Sequence, residues 1–352
     1  MSVIVKAGKT AILGTLAMAF GVGAVAGVVA ERALIGRAIR RGDNHAEPFG
    51  TLHSDGVEVI ANDGLRIHAE VDEPIGVDDD ITVIFAHGYA LSMDEFHYQR
   101  RDLRHVARLA FYDQRSHGHS EIGTHETHHI DQLAADLDAV IDAVAPTGKV
   151  ILVGHSMGGM TIQAFAGRRP DLFGTRIKAV VLACTSSGGM SEVPLGLPAF
   201  LGKLVMGIAP SITGALKGKQ ELVDRSREAG SDLNLLLTRR YSFASDIPPG
   251  MTEFVARMHS NTPIEVISDY LEAFSSFTSA EILPTFASVP TVIVAAGEDH
   301  MTPVEHSREI ARLIPHAQYI EIPETGHMLP MERYNEFNEI IAAVVEDVRR
   351  AG

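Results

Sequence analysis

From Val57 to the carboxyl terminus, short apolar runs alternate with longer stretches whose apolar residues recur every three or four positions. Runs of the first kind mark strands, and the second pattern marks amphipathic helices. Strands are expected at Val57 to Ala61 and Leu65 to Val71, joined as a hairpin across Asn62-Asp63-Gly64. Further strands are expected at Ile81 to Ala86, Arg108 to Tyr112, Lys149 to Val153, Ala179 to Ala183, Thr291 to Ala295 and Gln318 to Ile322. Helices are expected near Met93 to His105, Ile130 to Val144, Met157 to Arg169, Val304 to Ile314 and Glu332 to Val348. This alternation specifies an α/β fold, with a mostly parallel sheet flanked by helices.

The alternation stops between Ser186 and Phe286, a stretch too long for an ordinary loop. Prolines punctuate it at 194, 198, 210, 248 and 249, around apolar pieces such as Leu195 to Ile208 and Ile264 to Phe277. It reads as a mainly helical cap inserted into the sheet. The expected organisation is therefore an amino-terminal segment (1–42), a core in two parts (43–185 and 287–352) and a cap (186–286).

The amino-terminal segment breaks the pattern differently. Thr10 to Ala30 carries no ionisable side chain, while Lys6, Lys9, Arg32, Arg37, Arg40 and Arg41 flank it against Glu31 alone. As a helix it would reach roughly 30 Å, one hydrocarbon thickness. A single membrane-spanning anchor is expected. A cleaved signal peptide ending near Ala24-Val25-Ala26 and an apolar helix lying on protein or membrane are the competing readings. The arginines after the apolar stretch favour a cytoplasmic catalytic domain. The chain as a whole has 352 residues and a formal charge of −15, which argues against a nucleic-acid partner. Cys184 is the only cysteine, so no disulfide can form within the chain.

Candidate chemistry centres on Gly154-His155-Ser156-Met157-Gly158, a G-x-S-x-G pattern between an expected strand and an expected helix. That context holds a serine hydroxyl out of the sheet on a tight turn, and the glycines allow the turn to close. A serine hydroxyl is a weak nucleophile without a base, and the base needs an orienting acid. His327 follows the last strand, and Asp299 follows the strand Thr291 to Ala295, with Glu298 as its neighbouring rival. Two backbone N–H groups would hold the developing oxyanion: that of Met157, after the nucleophile, and that of Tyr89, after His87-Gly88. The crowded His117, His119, His125, His128 and His129 match no zinc spacing, so no metal or cofactor is expected.

These motifs, with Tyr112-Asp113-Gln114-Arg115-Ser116-His117-Gly118-His119-Ser120, occur in the order found in the α/β-hydrolase superfamily. From Val57 onward the chain resembles its capped branch of bacterial esterases, monoacylglycerol lipases and haloperoxidase-like hydrolases. It also resembles actinobacterial hydrolases with an amino-terminal apolar anchor. One departure is Ser116, where the family usually has glycine; Asp113 and Arg115 are expected to fix that turn. Relatives with an elbow aspartate attack by alkylation, so Ser156 points to acyl transfer.

The expectation is a serine hydrolase of carboxylic esters, acting through Ser156, His327 and Asp299 with Tyr89 and Met157 at the oxyanion. The apolar cap residues, Leu195, Leu197, Phe200, Leu201, Leu204, Val205, Met206 and Ile208, favour a lipid-like ester. A thioesterase, an amidase or peptidase, and a perhydrolase would use the same residues. A non-catalytic, membrane-tethered ligand-binding fold is the alternative from another class.

Overall fold

The computed structural model describes residues 47–190 and 234–351. The expected apolar anchor and the cap cluster Leu195 to Ile208 lie outside the described residues. Among the described residues, no helix is long and apolar enough to cross a membrane.

Eight strands form one sheet: β1 (Gly56–Ile60), β2 (Arg66–Asp72), β3 (Ile81–Ala86), β4 (Arg108–Tyr112), β5 (Lys149–His155), β6 (Ile177–Ala183), β7 (Thr291–Ala296) and β8 (Gln318–Ile322). Their spatial order is β1-β2-β4-β3-β5-β6-β7-β8. The hairpin β1-β2 and the β2-β4 pair are antiparallel, and every other pair is parallel. β3 and β7 are buried throughout, as parallel strands covered on both faces must be.

Alternation along each strand divides the core. Ile84, Ala86, Leu152, Val180 and Leu182 face helices α2 (Ile130–Val144) and α3 (Met157–Arg168). Val83, Phe85, Ile151, Val153 and Val181 face the closing helix, through Phe337, Ile341 and Val345. The region expected as one helix near Met93 to His105 is a 3₁₀ turn, Met93–Phe96, running into α1 (His97–Asp102).

The described part of the region between β6 and β7 holds three further α-helical segments and a 3₁₀ turn, Leu283–Ser288. Residues 234–242 are helical, followed by α4 (Pro249–Asn261) and α5 (Ile264–Ser276). Pro249 opens α4 at its first turn, where a missing N–H costs nothing. After β7 come α6 (Val304–Leu313), α7 (Leu329–Glu332) and α8 (Tyr334–Arg350). The expected closing helix, Glu332 to Val348, is α8, which starts two residues later because the Arg333 backbone (φ −123°, ψ 46°) leaves the helical region.

Register explains where chemistry can collect. Ala86 pairs with Gly154, so the loop after β3 emerges beside the turn after β5. Ala296 pairs with Ile322, so the loops after β7 and β8 emerge together. β4 lies on one side of β3 and β5 on the other, and such a reversal opens a crevice at the carboxyl ends of the strands.

Candidate active site

Ser156 occupies the turn between β5 and α3 with φ 52° and ψ −116°, a conformation an L-residue holds only under constraint. Close packing supplies that constraint. A Cβ on Gly158 would lie 2.0 Å from the Ala86 carbonyl oxygen, and one on Gly154 would lie 2.7 Å from the Gly158 backbone. The Thr185 hydroxyl donates to the Ser156 carbonyl at 2.7 Å and pins the turn from just beyond the end of β6.

Three of the expected residues meet here. His327 Nε2 lies 3.0 Å from Ser156 Oγ, and His327 Nδ1 lies 2.8 Å from Asp299 Oδ2. All three are at most 8% exposed. Asp299 Oδ1 accepts the N–H groups of Met301 (2.7 Å) and Thr302 (2.9 Å), and its Oδ2 accepts the Thr302 hydroxyl. Burial pushes its carboxyl upward, but His327 and these donors outweigh burial and hold it below the ordinary value. Glu298 is the neighbour whose backbone N–H reaches Thr325; its side chain borders a separate surface hollow with His300.

The loop after β3 is held at the amides flanking Tyr89. Gly88 N–H donates to Glu95 Oε1 at 3.2 Å, and Ala90 N–H donates to His117 Nε2 at 3.2 Å. Ala90 takes φ 56°, which turns the loop sharply. Among the described residues, the N–H groups of Tyr89 and Met157 have no hydrogen-bond partner. Burial holds His117 at about 4, so its ring is neutral at neutral pH and can accept from Ala90.

Sequence reasoning missed one group. Glu95 and His155 are fully buried, with His155 Nδ1 3.1 Å from Glu95 Oε2 and Nε2 2.9 Å from the His327 carbonyl. Both ring nitrogens face acceptors, so the ring carries both protons. Burial opposes that charge, but Glu95 and the His327 carbonyl raise the ring above its ordinary value. One ion pair thereby ties the loop of Tyr89 to the loop of His327. The available signal was the acidic pair Asp94-Glu95 between the apolar Met93 and Phe96, of which Glu95 is the buried member.

The D-x-R turn behaves as expected. Asp113 accepts the N–H groups of Met93 and His119, and Arg115 pairs with Asp136 and Asp63. Ser116 adopts φ 67°, the left-handed region that favours glycine. Its hydroxyl accepts Gly123 N–H and meets His128 Nε2 at 2.8 Å. His125 and His128 reach Asp269 on α5. Among the described residues, no group of three or more histidines, cysteines or acids could hold a metal ion.

Above Ser156 lies a cavity of about 490 Å³. α5 lines it with Ile267, Leu271 and Phe274, and the floor adds Tyr89, Met157 and Met160. Helix 234–242 and α4 contribute Thr238, Tyr241, Ser242 and His259.

Comparison with known proteins agrees with this architecture. The family model described as "alpha/beta hydrolase fold" matches residues 81–334. The chain is 25% identical over 312 residues to a bifunctional esterase/perhydrolase of Acinetobacter calcoaceticus, covering 83% of this chain and 97% of that protein. It is 23% identical over 266 residues to an sn-1-specific diacylglycerol lipase of Mus musculus, covering 74% and 80%. A 228-residue match at 28% identity, 63% of this chain, spans only 10% of the polyketide synthase ThaQ of Burkholderia thailandensis. Among solved structures, a thermophilic esterase from Thermogutta terrifontis superposes with a TM-score of 0.64 at 22% identity, covering 84% of this chain and 99% of that one. At that identity the likeness speaks to the fold alone.

Proposed function

The chain belongs to the alpha/beta hydrolase fold family, and on that premise we propose that it is a serine hydrolase of carboxylic esters with apolar, lipid-like acyl groups. The observation that carries this reading is the continuous Ser156–His327–Asp299 hydrogen-bond line under an apolar cavity. Ser156 Oγ attacks the ester carbonyl while His327 Nε2 takes its proton. Asp299 orients the ring and stabilises its charge. The N–H groups of Tyr89 and Met157 receive the oxyanion, each contributing about 3 kcal/mol in sites of this kind. His327 then returns the proton to the leaving alcohol. Water, deprotonated by His327, attacks the acyl-enzyme and frees the acid and Ser156.

A fluorophosphonate probe tests the nucleophile: wild type should be labelled and Ser156→Ala should not. Equal labelling of both proteins sinks the assignment. A panel of acyl esters from two to sixteen or so carbons tests the substrate class. Preference for the shortest esters contradicts the lipid-like reading, and faster turnover of thioesters, amides or peracids reassigns the acyl donor. The segment Thr10 to Ala30 is proposed as a membrane anchor that leaves the catalytic region on the cytoplasmic side, on the strength of its length and flanking charges. Full-length protein in the membrane fraction, degraded by protease only after the cytoplasmic face is exposed, is the expected result.

A further inference from the structure

The cavity has unlike walls. α5 presents Ile267, Leu271 and Phe274, whereas helix 234–242 and α4 add the polar groups of Thr238, Tyr241 and His259 beside Leu237. The second wall stands on the His327 side. Met328 N–H donates to the Ser242 carbonyl at 2.8 Å, and Met328 packs with Phe243 and Met258.

Hydrogen-bond directions can be followed along this wall. Asn234 Nδ2 donates to the Ala256 carbonyl at 2.9 Å and to Ser260 Oγ at 3.0 Å. That fixes the amide, so its Oδ1 is the atom facing the Thr238 hydroxyl, at 3.5 Å. A carbonyl oxygen only accepts, so the Thr238 proton points toward Asn234. Thr238 Oγ1 lies 3.2 Å from His259 Nδ1 and must accept from it. Nδ1 therefore carries the ring proton, and Nε2 carries the lone pair. Burial, with the His327 ring nearby, lowers His259 to about 4, so the ring stays neutral at neutral pH. Among the described residues Nε2 has no partner.

We propose that His259 Nε2 accepts a hydrogen bond from a hydroxyl on the alcohol half of the substrate, so that esters of hydroxyl-bearing alcohols are preferred over those of plain alkanols. The inference rests on the ester-hydrolase reading. The orientation follows from the chemistry: His327 hands its proton to the leaving oxygen, so the alcohol lies toward His327 and the acyl chain toward α5. His259 is a specificity residue that takes no proton in the reaction.

The test uses three esters of one fatty acid, differing only in the alcohol: 3-hydroxypropyl, propyl and 3-methoxypropyl. Wild-type full-length protein should favour the hydroxypropyl ester over both others by about tenfold in kcat/KM, the scale of one neutral hydrogen bond. His259→Phe should bring that ratio close to one, and His259→Gln, which keeps an acceptor, should recover part of it. Thr238→Val provides an independent variant. It frees the ring to move its proton to Nε2, and the preference should shift toward the methoxypropyl ester. Equal wild-type rates on all three esters, or an unchanged ratio in His259→Phe or Thr238→Val, overturn the proposal while leaving the hydrolase reading intact. Turnover of none of the three, together with no fluorophosphonate labelling, overturns both.

Discussion

The floor of the cavity and its walls are held by different forces. The floor is backbone against backbone: Gly158 approaches the Ala86 carbonyl with no room for a methyl group, and Ser156 and Ala90 are locked at positive φ. The buried Glu95–His155 pair joins its two halves. The walls meet the core mostly through side chains, beside the backbone bond from Met328 to Ser242. α4 packs by Phe254, Val255 and Met258, and α5 by Val266, Tyr270 and Phe274. Asp269 is tied to His125 and His128. A floor built of backbone leaves few substitutions open, whereas walls built of side chains can change lining without disturbing the reacting atoms.

The sharpest way to isolate the floor is Asp299→Asn. Geometry should survive while the His327 ring loses the carboxylate that orients it, and kcat should fall by about 10⁴-fold, with the melting temperature as the control. Gly158→Ala should instead break the floor mechanically. Its Cβ has no place to go, and a loss of at least about 3 kcal/mol in chemical denaturation is expected.

Acid is the next probe. His117 on the floor and His259 on the wall both sit near 4 when folded, against an ordinary value of 6.5. Between those limits the unfolded chain binds protons that the folded chain refuses. Stability should therefore be fully present above about pH 6.5 and fall as pH drops toward 4, by up to about 3 kcal/mol for each ring. His117→Asn should flatten part of that slope in urea titrations taken across this range. The smallest effect belongs to the wall. Asp269→Asn should cost less than about 1 kcal/mol, yet raise KM for long acyl esters more than it changes kcat. A large drop in kcat instead would mean that floor and wall are not separable.

The contrast also marks what could be read from sequence. Buried strands such as Ile81–Ala86 and Thr291–Ala296 are legible because parallel strands need continuous apolar runs. Ser156, His327 and Asp299 can be named because each follows a strand whose end is fixed by the sheet. The family resemblance is likewise carried by motifs at strand ends, and the family model, over residues 81–334, contains them. Glu95 and His155 could not be paired, since 60 residues separate them and only tertiary packing brings them together. The cavity walls were illegible for a related reason. Helical periodicity shows that α5 has an apolar face, but both its core stripe and its cavity stripe are apolar, and sequence does not tell them apart.

Tyr89 belongs to both regions. Its amide lies in the loop beside Ser156, and its hydroxyl donates to the Ile267 carbonyl on α5. That one side chain thus spans from α5 to the loop beside Ser156. On the proposed mechanism, a bulky acyl group that pushed α5 outward would pull on the residue proposed to receive the oxyanion, gearing chain length to turnover. Loosening the gear, as Tyr89→Phe would, should let the protein accept longer chains at the expense of the rate on those it already fits.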